Sequence, residues 1–462
     1  MCIRDRIYAE TIRYLAGLNP NPVFAADDTA FIKGLNDTTW VDPISIDENL
    51  CSDLNTIVVN ASVSSYDDDN SALTDVDGGI NGTTISAFGN ITDFWTDTVG
   101  AAEGINGNNF FVGIGSTDNN EFCTSKRVDA LSDAMGLCPE APTVNGSFAI
   151  AGIAHYAHNN DIRPDLPRNQ TVNTFAIEFA TNQPIINVPR TGSDEVLEII
   201  PAYRLLRGDQ GSGALVDFRI VQPHTRTSPN TFEASYYVNW EDSEQGGDFD
   251  QDLWGTISYV LDESADTIEI TTQVFAESTA NPQLFGFVTN GTSQDGFHAY
   301  SGIEGANFID PTGVRGCNNC RASSEGGGGQ RGPQSGVFDL QTSITSSLES
   351  PLYYAAKYGG FTESLNNGES LTINDLPDEI AEFDSINNNT GRAGSDGLPD
   401  NFFSANNPGQ LFDYLDFALQ KMLAQDSRTS SSVPVFANAN GFENIIVQST
   451  FRSQLLMTLI MK

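Results

Sequence analysis

The stretch EDSEQGGDFDQDLWG, residues 241–255, places six carboxylates in its first twelve residues and then turns apolar. Asp248, Asp250 and Asp252 alternate with other residues, as do the ligands at the first, third and fifth positions of a calcium loop. Calcium takes roughly six to eight hard oxygen ligands, which closely spaced carboxylates and backbone carbonyls can supply. A calcium site is therefore one interpretation of this spacing.

Two departures separate this stretch from an EF-hand. The loop needs glycine at its sixth position, where Leu253 stands, and glutamate at its twelfth, where Tyr259 stands. A different kind of cation site, which Asp242 or Glu244 would join, remains open. Two other interpretations also remain: an acid/base site, and a hairpin connection whose side chains lie in water.

A second acidic stretch, GSDGLPDN at residues 394–401, resembles the latter half of a D-x-D-x-D-G-x-x-D calcium repeat. Asp396 and Asp400 would supply carboxylate oxygens to the ion. The first two acidic positions of the repeat are occupied by Arg392 and Gly394, so half of the ligands are missing. We include Asp396 and Asp400 among the predicted metal ligands.

The sequence offers little else for catalysis. His155 and His158 lie three residues apart on a predicted helix, but the chain has four histidines and no H-E-x-x-H motif. It also lacks a G-x-S-x-G elbow, a P-loop, a G-x-G-x-x-G fingerprint and a D-x-S-x-S metal motif. We therefore predict a protein that is not an enzyme. The alternatives are a secreted hydrolase that uses the acidic loop 241–252 and a structural spacer.

Charge and composition exclude further classes of function. The chain of 462 residues has 22 Lys and Arg against 61 Asp and Glu, which gives a net charge of −39. Nucleic acids and anionic membranes bind basic surfaces, so neither is an expected partner. Abundant turn-forming residues and scarce lysine indicate a β-rich, loop-rich extracellular protein. The length suffices for two or three domains.

The six cysteines suggest local disulfides. Cys317 and Cys320 form a C-x-x-C motif, but a zinc ribbon needs a second such pair and a thioredoxin motif needs a following helix. A small disulfide loop fits better. Cys123 and Cys138 flank a helix-like segment and could close a second loop.

The hydrophobic patterns indicate elements that must position these residues. Residues 55–62 and 171–180 are apolar runs typical of buried parallel strands, and residues 7–17 and 148–161 have helical periodicity. This alternation predicts a three-layer α/β domain up to about residue 205.

After residue 205 the pattern changes. Strand-like runs with turn residues between them predict an antiparallel sheet or sandwich; the runs are 232–240, 253–261, 267–275 and 284–292. Two helices are predicted after them, at 349–361 and 406–425. In the last helix Asn407 is a candidate N-cap and Pro408 falls at the first helical position.

The predicted divisions are an α/β domain at 7–205, an antiparallel β-rich domain at 206–320, a flexible linker at 321–336, a helical segment with an acidic loop at 337–426 and a Ser-rich tail at 427–462.

Several stretches, in order along the chain, resemble the PilY family of type IV pilus biogenesis proteins and tip adhesins. They are YAETIRYLAG (8–17), IAHYAHNNDIRPDL (153–166), DFRIVQPHT (217–225), NWEDSEQGGDFDQDLWGTISYV (239–260), AESTANPQLFGFVTNGTSQDGFHAYSGIEG (276–305), LYYAAKYGGF (352–361) and DGLPDNFFSANNPGQLFDYL (396–415). The similarity covers most of the chain.

The resemblance implies a secreted protein with a von Willebrand A-like part and a C-terminal β-propeller. This chain resembles the middle portion, with an incomplete von Willebrand A-like α/β domain and without the propeller. The implied function is pilus assembly and adhesion at the pilus tip, under the influence of calcium. The implied partners are pilins or minor pilins and a host or surface receptor, and the implied location is extracellular or at the cell surface, with membrane association only through the pilus. The resemblance assigns no ligand role to any residue of this chain.

Overall fold

The structure is a computed structural model that describes residues 4–20, 40–45, 49–60, 88–179, 183–206, 213–242, 250–310, 316–343, 345–363, 375–428 and 456–461. The helices in these ranges are α1 (Arg4–Leu15), α2 (Phe88–Ala102), α3 (Ala149–Asn159), α4 (Pro351–Tyr358), α5 (Ile380–Phe383) and α6 (Pro408–Arg428), with a 3₁₀ turn at Leu131–Asp133.

The strands in the described ranges are β1 (Leu54–Asn60), β2 (Asn108–Ile114), β3 (Thr124–Val128), β4 (Met135–Leu137), β5 (Val172–Phe179), β6 (Ile186–Asn187), β7 (Glu198–Leu205), β8 (Gly213–Ser228), β9 (Thr231–Asp242), β10 (Leu253–Asp262), β11 (Thr267–Glu277), β12 (Gln283–Asn290), β13 (Gly296–Ile303), β14 (Ala306–Phe308), β15 (Cys317–Cys320), β16 (Gln334–Asp339), β17 (Ser346–Ser347), β18 (Ile386–Asn387), β19 (Arg392–Ala393), β20 (Phe402–Ala405) and β21 (Leu456–Met461).

A parallel sheet forms the first part of the fold, in the order β20–β5–β1–β21. The apolar sequence of β1 predicts burial on both faces, and every residue of this strand is buried. Leu54 and Val58 pack in one core with α1, α3 and α4, whereas Ile57 and Val59 pack in another with α6. Helices therefore cover both faces of the sheet, which agrees with the predicted α/β architecture.

A β-sandwich forms the second part. One sheet has the order β16–β11–β10–β9–β8, and the other runs β17–β2–β3–β13–β12–β7–β6 with β4 paired to β2. Trp240 and Tyr259 of the first sheet share a buried core with Phe285 and Tyr300 of the second. In β11 the buried and half-buried residues alternate, as the period of two in its sequence predicts.

The two parts share a core where the larger sheet meets the helices. Val112 of β2 and Val128 of β3 pack with Phe148, Ala151 of α3 and Tyr354 of α4. These contacts join the sandwich to the helical layer of the α/β part.

Sheet membership differs from the predicted domain ranges in two ways. β2 and β7 lie inside the range 7–205 predicted for the α/β domain, but both belong to the sandwich. Conversely, β20, from the predicted helical segment 337–426, pairs in parallel with β5. The Ser-rich tail predicted at 427–462 falls mostly outside the described residues, but Leu456–Met461 pairs in parallel with β1.

The predicted linker at 321–336 is not an interdomain connection. The segment joins β15 to β16, which is an edge strand paired to β11. The Arg321 N–H donates to Gln330 O at 2.9 Å, and the Ser323 N–H donates to Val274 O at 3.1 Å. Its glycines allow a tight loop: Gly329 has a φ of +151°, and a Cβ there would meet the carbonyl oxygen of Asn319 at 2.3 Å.

Several local predictions are confirmed. Disulfides join Cys123 to Cys138 and Cys317 to Cys320. α6 begins at Pro408, and the Asn407 side chain accepts from the N–H of Gln410 at 3.1 Å, as an N-cap does. Among the described residues, no helix combines the length and apolar character that crossing a bilayer requires.

Candidate metal centre

The acidic stretch lies at one end of the sandwich, where β9 ends at Asp242 and β10 begins at Leu253. One carboxylate oxygen from each of Glu241, Asp250 and Asp252 lies within 4.8 Å of the other two. Glu241 is 3% exposed, Asp252 is 3% exposed, and only Asp250 of these three is exposed to solvent. The carboxylates therefore converge on one point and do not extend separately into water.

Hydrogen bonds fix the positions of these carboxylates. The N–H of Asp242 donates to Asp252 Oδ2 at 2.6 Å, and the Ser278 hydroxyl donates to Asp250 Oδ2 at 2.7 Å. Gln283, which begins β12 in the facing sheet, donates from Nε2 to Asp242 Oδ2 at 2.7 Å. The site is thus held by three neighbouring strands of one sheet and by the sheet packed against it.

The electrostatics of the group disfavour its negative charge. Burial raises the pKa of the Asp252 carboxyl to about 6 against the opposing effect of the Asp242 N–H, and the nearby Asp242, Glu241 and Asp250 raise it further. A cation placed among these oxygens would relieve this repulsion and lower the same pKa.

The structure brings together part of the predicted ligand set. Asp250 and Asp252 lie in the cluster, whereas Asp248 is outside the described residues. The Asp242 carboxylate is not in the cluster of three and interacts with Gln283 instead. Glu241, which was not among the predicted ligands, lies in the cluster with Asp250 and Asp252. Adjacent residues of a strand point to opposite faces, and the sequence does not show which of Glu241 and Asp242 faces the loop.

The second predicted calcium stretch has a different environment. Asp400 Oδ1 accepts from the N–H groups of Ser385 and Ile386 at 2.9 and 2.8 Å. Asp396 Oδ2 accepts from the N–H of Asn388 at 2.8 Å. Within the described part of the chain, neither aspartate belongs to a cluster of three or more candidate ligands. Of the two predicted calcium stretches, only the one at the end of the sandwich brings three carboxylates together.

A second acidic cluster in the described residues has no recognisable motif in the sequence. Carboxylate oxygens of Glu277, Glu304 and Glu325 also lie within 4.8 Å of one another, and burial followed by the charges of Glu325 and Glu304 raises the pKa of Glu277. Arg321 Nη1 contacts Glu325 Oε1 at 2.9 Å and already supplies a positive charge. This cluster therefore has less need of an ion than the one at Asp252.

Fold and site together define an acidic, disulfide-containing protein in which a β-sandwich with a carboxylate cluster is joined to a parallel α/β sheet. Comparison with known proteins identifies the family. The model described as "PilY1 homolog, second domain" matches residues 6–157, and the model described as "PilY1 homolog, beta-sandwich" matches residues 216–304. The second match contains the whole acidic stretch.

The chain is also 24% identical over 347 residues to the "Type IV pilus biogenesis factor PilY1 homolog" of Xylella fastidiosa. This match covers 65% of the chain and 23% of the relative, so the chain spans about a quarter of that protein's length. No solved structure matches the chain. The chain belongs to the PilY1-like type IV pilus proteins, as its sequence motifs predicted.

Proposed function

We propose that this chain is part of a non-catalytic type IV pilus assembly factor and tip-associated adhesin, located outside the cell or at its surface, whose sandwich binds calcium. Its partners would be pilins or minor pilins on one side and a host or surface receptor on the other. The family match supports the pilus-related role. The parallel sheet with helices on both faces supports a further proposal, that the α/β part is an incomplete von Willebrand A-like domain.

The convergence of Glu241, Asp250 and Asp252 carries the calcium proposal. Calcium prefers carboxylate and amide oxygens in clusters of about six to eight. Three carboxylates at the end of a rigid sandwich thus offer half of a calcium coordination sphere.

Calcium is expected to raise the thermal stability of the chain. An ion that binds only the folded state at ten times its Kd stabilises by about 1.4 kcal/mol, because binding removes folded protein from the unfolding equilibrium. Differential scanning calorimetry in buffers with calcium, magnesium or EGTA measures the shift. Asp250→Asn and Glu241→Gln should reduce the calcium shift.

Glu304→Gln serves as the matched control, because it removes a charge from the second acidic cluster and leaves the first intact. It should retain the full calcium shift. An equal shift in the Asp250→Asn variant and the wild-type chain would place the ion elsewhere. If neither calcium nor magnesium changed the melting temperature, the calcium proposal would be wrong and the proposed pilus role would be unaffected.

A secreted hydrolase remains the second candidate. A carboxyl group with a pKa of about 6, such as that of Asp252, suits a general acid near neutral pH. Convergence of three carboxylates favours cation binding over this alternative, because proton transfer to a substrate needs one accessible acid and Asp252 is buried.

The pilus-related role can be tested separately in the bacterium that makes this protein. Deletion of the gene is expected to reduce the number of surface pili and attachment to surfaces, and the wild-type gene should restore both. Pili counted by electron microscopy and cells counted after washing measure the two effects. Normal piliation and attachment in the deletion strain would contradict the proposal.

A further inference from the structure

A lysine of α6 and the asparagine immediately before β20 lie in direct contact. Lys421 Nζ donates to Asn401 Oδ1 at 2.8 Å and to the backbone oxygen of Asp400 at 3.1 Å. Asn401 is 1% exposed, and the Lys421 side chain is 17% exposed. A primary amine is thus held against a buried amide carbonyl.

The amide is fixed by its other contacts. Asn401 Nδ2 donates to the backbone oxygens of Thr174 at 3.2 Å and Gly360 at 3.4 Å. These two acceptors orient the amide so that its carbonyl oxygen faces Lys421. They also leave the amide nitrogen surrounded by hydrogen-bond acceptors.

A carboxyl group completes the arrangement. Asp400 Oδ2 lies 3.8 Å from Lys421 Nζ and accepts from the Ser385 hydroxyl at 2.7 Å. Lys421 Nζ also lies over the ring of Phe175, 5.9 Å from its centroid. An amine, an amide and a carboxyl group beside an aromatic ring are the groups that an amide-exchange reaction requires.

We propose that Lys421 and Asn401 form an intramolecular isopeptide bond. The lone pair of Lys421 Nζ attacks Asn401 Cγ to form the Nζ–Cγ bond, and the Cγ–Nδ2 bond breaks with its electron pair on nitrogen. Asp400 accepts the proton that Nζ loses and returns a proton to Nδ2, which leaves as ammonia. The exchange needs no oxidant, reductant or other reactant.

The surroundings supply part of the uncharged amine that this reaction needs. Burial lowers the pKa of the Lys421 ammonium to about 8, against the opposing effect of Asp400, so part of the amine is uncharged at neutral pH. Only the uncharged amine is a nucleophile. The new bond would fasten α6 to the edge strand of the parallel sheet, which α6 covers through Ala418 and Met422. This inference is independent of the calcium and pilus proposals.

Mass spectrometry of the full 462-residue chain tests the proposal directly. After reduction of the disulfides, the wild-type mass is expected to be about 17 Da below the sequence mass, because one ammonia has left. Proteolysis should release a branched peptide in which Lys421 is joined to Asn401. Lys421→Arg should restore the sequence mass, because a guanidinium keeps the positive charge but is not a nucleophile.

Two more variants separate the chemistry from folding. Asp400→Asn should also show the sequence mass, with circular dichroism confirming that the variant is folded. Lys357→Arg changes another buried lysine, on α4, and should keep the deficit. A folded wild-type chain with the full sequence mass would overturn the proposal and leave Lys421 as a hydrogen-bond donor only. A deficit that persists in Lys421→Arg would overturn it equally.

Discussion

Acidification from pH 7 to pH 4 is expected to destabilise the folded protein through His155 by about 3 kcal/mol. His155 is fully buried on α3, with its ring 4.7 Å from the Trp95 ring and 5.2 Å from the Tyr358 ring. Nε2 lies 3.1 Å from the backbone oxygen of Asp375 and donates to it. Nδ1 is buried and has no hydrogen-bond partner among the described residues, so the neutral imidazole fits the site.

The sign follows from the two states of the chain. Burial lowers the pKa of His155 to about 4 in the folded state, below its ordinary value of 6.5. Between these two values the unfolded chain binds a proton that the folded chain does not, so stability falls as the pH falls. Below pH 4 both states are protonated and the loss ends. Burial lowers the pKa of His158 to about 4 as well, which adds a loss in the same direction.

Asp252 acts in the opposite direction over part of this range. Its pKa of about 6 exceeds its ordinary value of 3.8, so the folded state takes up a proton first and gains stability as the pH falls from about 6 to 4. A variant is therefore needed to isolate the contribution of the histidine.

Urea unfolding of the wild-type chain and of His155→Gln between pH 4 and pH 7.5 measures this contribution. Glutamine keeps an N–H donor for the Asp375 oxygen and does not titrate. The variant should lose about 3 kcal/mol less than the wild-type chain on acidification. His224→Gln is the control, because His224 is only half-buried, on β8, and its variant should keep most of the wild-type dependence. Identical curves for His155→Gln and the wild-type chain would show that His155 does not carry the acid sensitivity.

A second large effect is expected from Glu103→Ala, with a loss of about 3 to 4 kcal/mol in the free energy of unfolding. Glu103 follows α2, and its Oε1 lies 2.6 Å from Lys357 Nζ and accepts from the Tyr358 hydroxyl at 2.7 Å. Lys357 also lies over the ring of Phe383, 4.2 Å from its centroid. Removal of the carboxylate leaves a largely buried ammonium without its counter-charge, which costs more than the pair itself contributes.

The matched double variant distinguishes the buried charge from lost packing. Glu103→Gln combined with Lys357→Met removes both charges and keeps an acceptor for Tyr358, so its stability should lie within about 1 kcal/mol of the wild-type value. Asp129→Ala breaks the exposed pair with Arg127, and it should cost less than about 1 kcal/mol. Urea titration gives all of these values. Equal losses in Glu103→Ala and Asp129→Ala would show that the first pair is no more important than a surface contact.

The sequence by itself determined the local elements and the family. The caps and periodicity of α6, the apolar runs of β1 and β5, and the alternation of β11 depend on neighbours a few residues away. The two disulfides join cysteines that are 15 and 3 residues apart in the sequence, and this closeness suggested both pairings. The ordered motifs also identified the PilY1-like proteins, which the family models then matched.

Only the tertiary structure decided which strands pair and which side chains meet. β2 follows β1 in the sequence, but it pairs in the sandwich and not in the parallel sheet. β20 is distant from β5 in the sequence, but the two strands pair in parallel. The sequence found the acidic stretch but could not choose Glu241 over Asp242, because that choice depends on the face that each side chain presents. Neither the burial of His155 nor the contact of Lys421 with Asn401 has a local signal. Burial, pKa and reactivity depend on groups that are distant in sequence, and only packing brings those groups together.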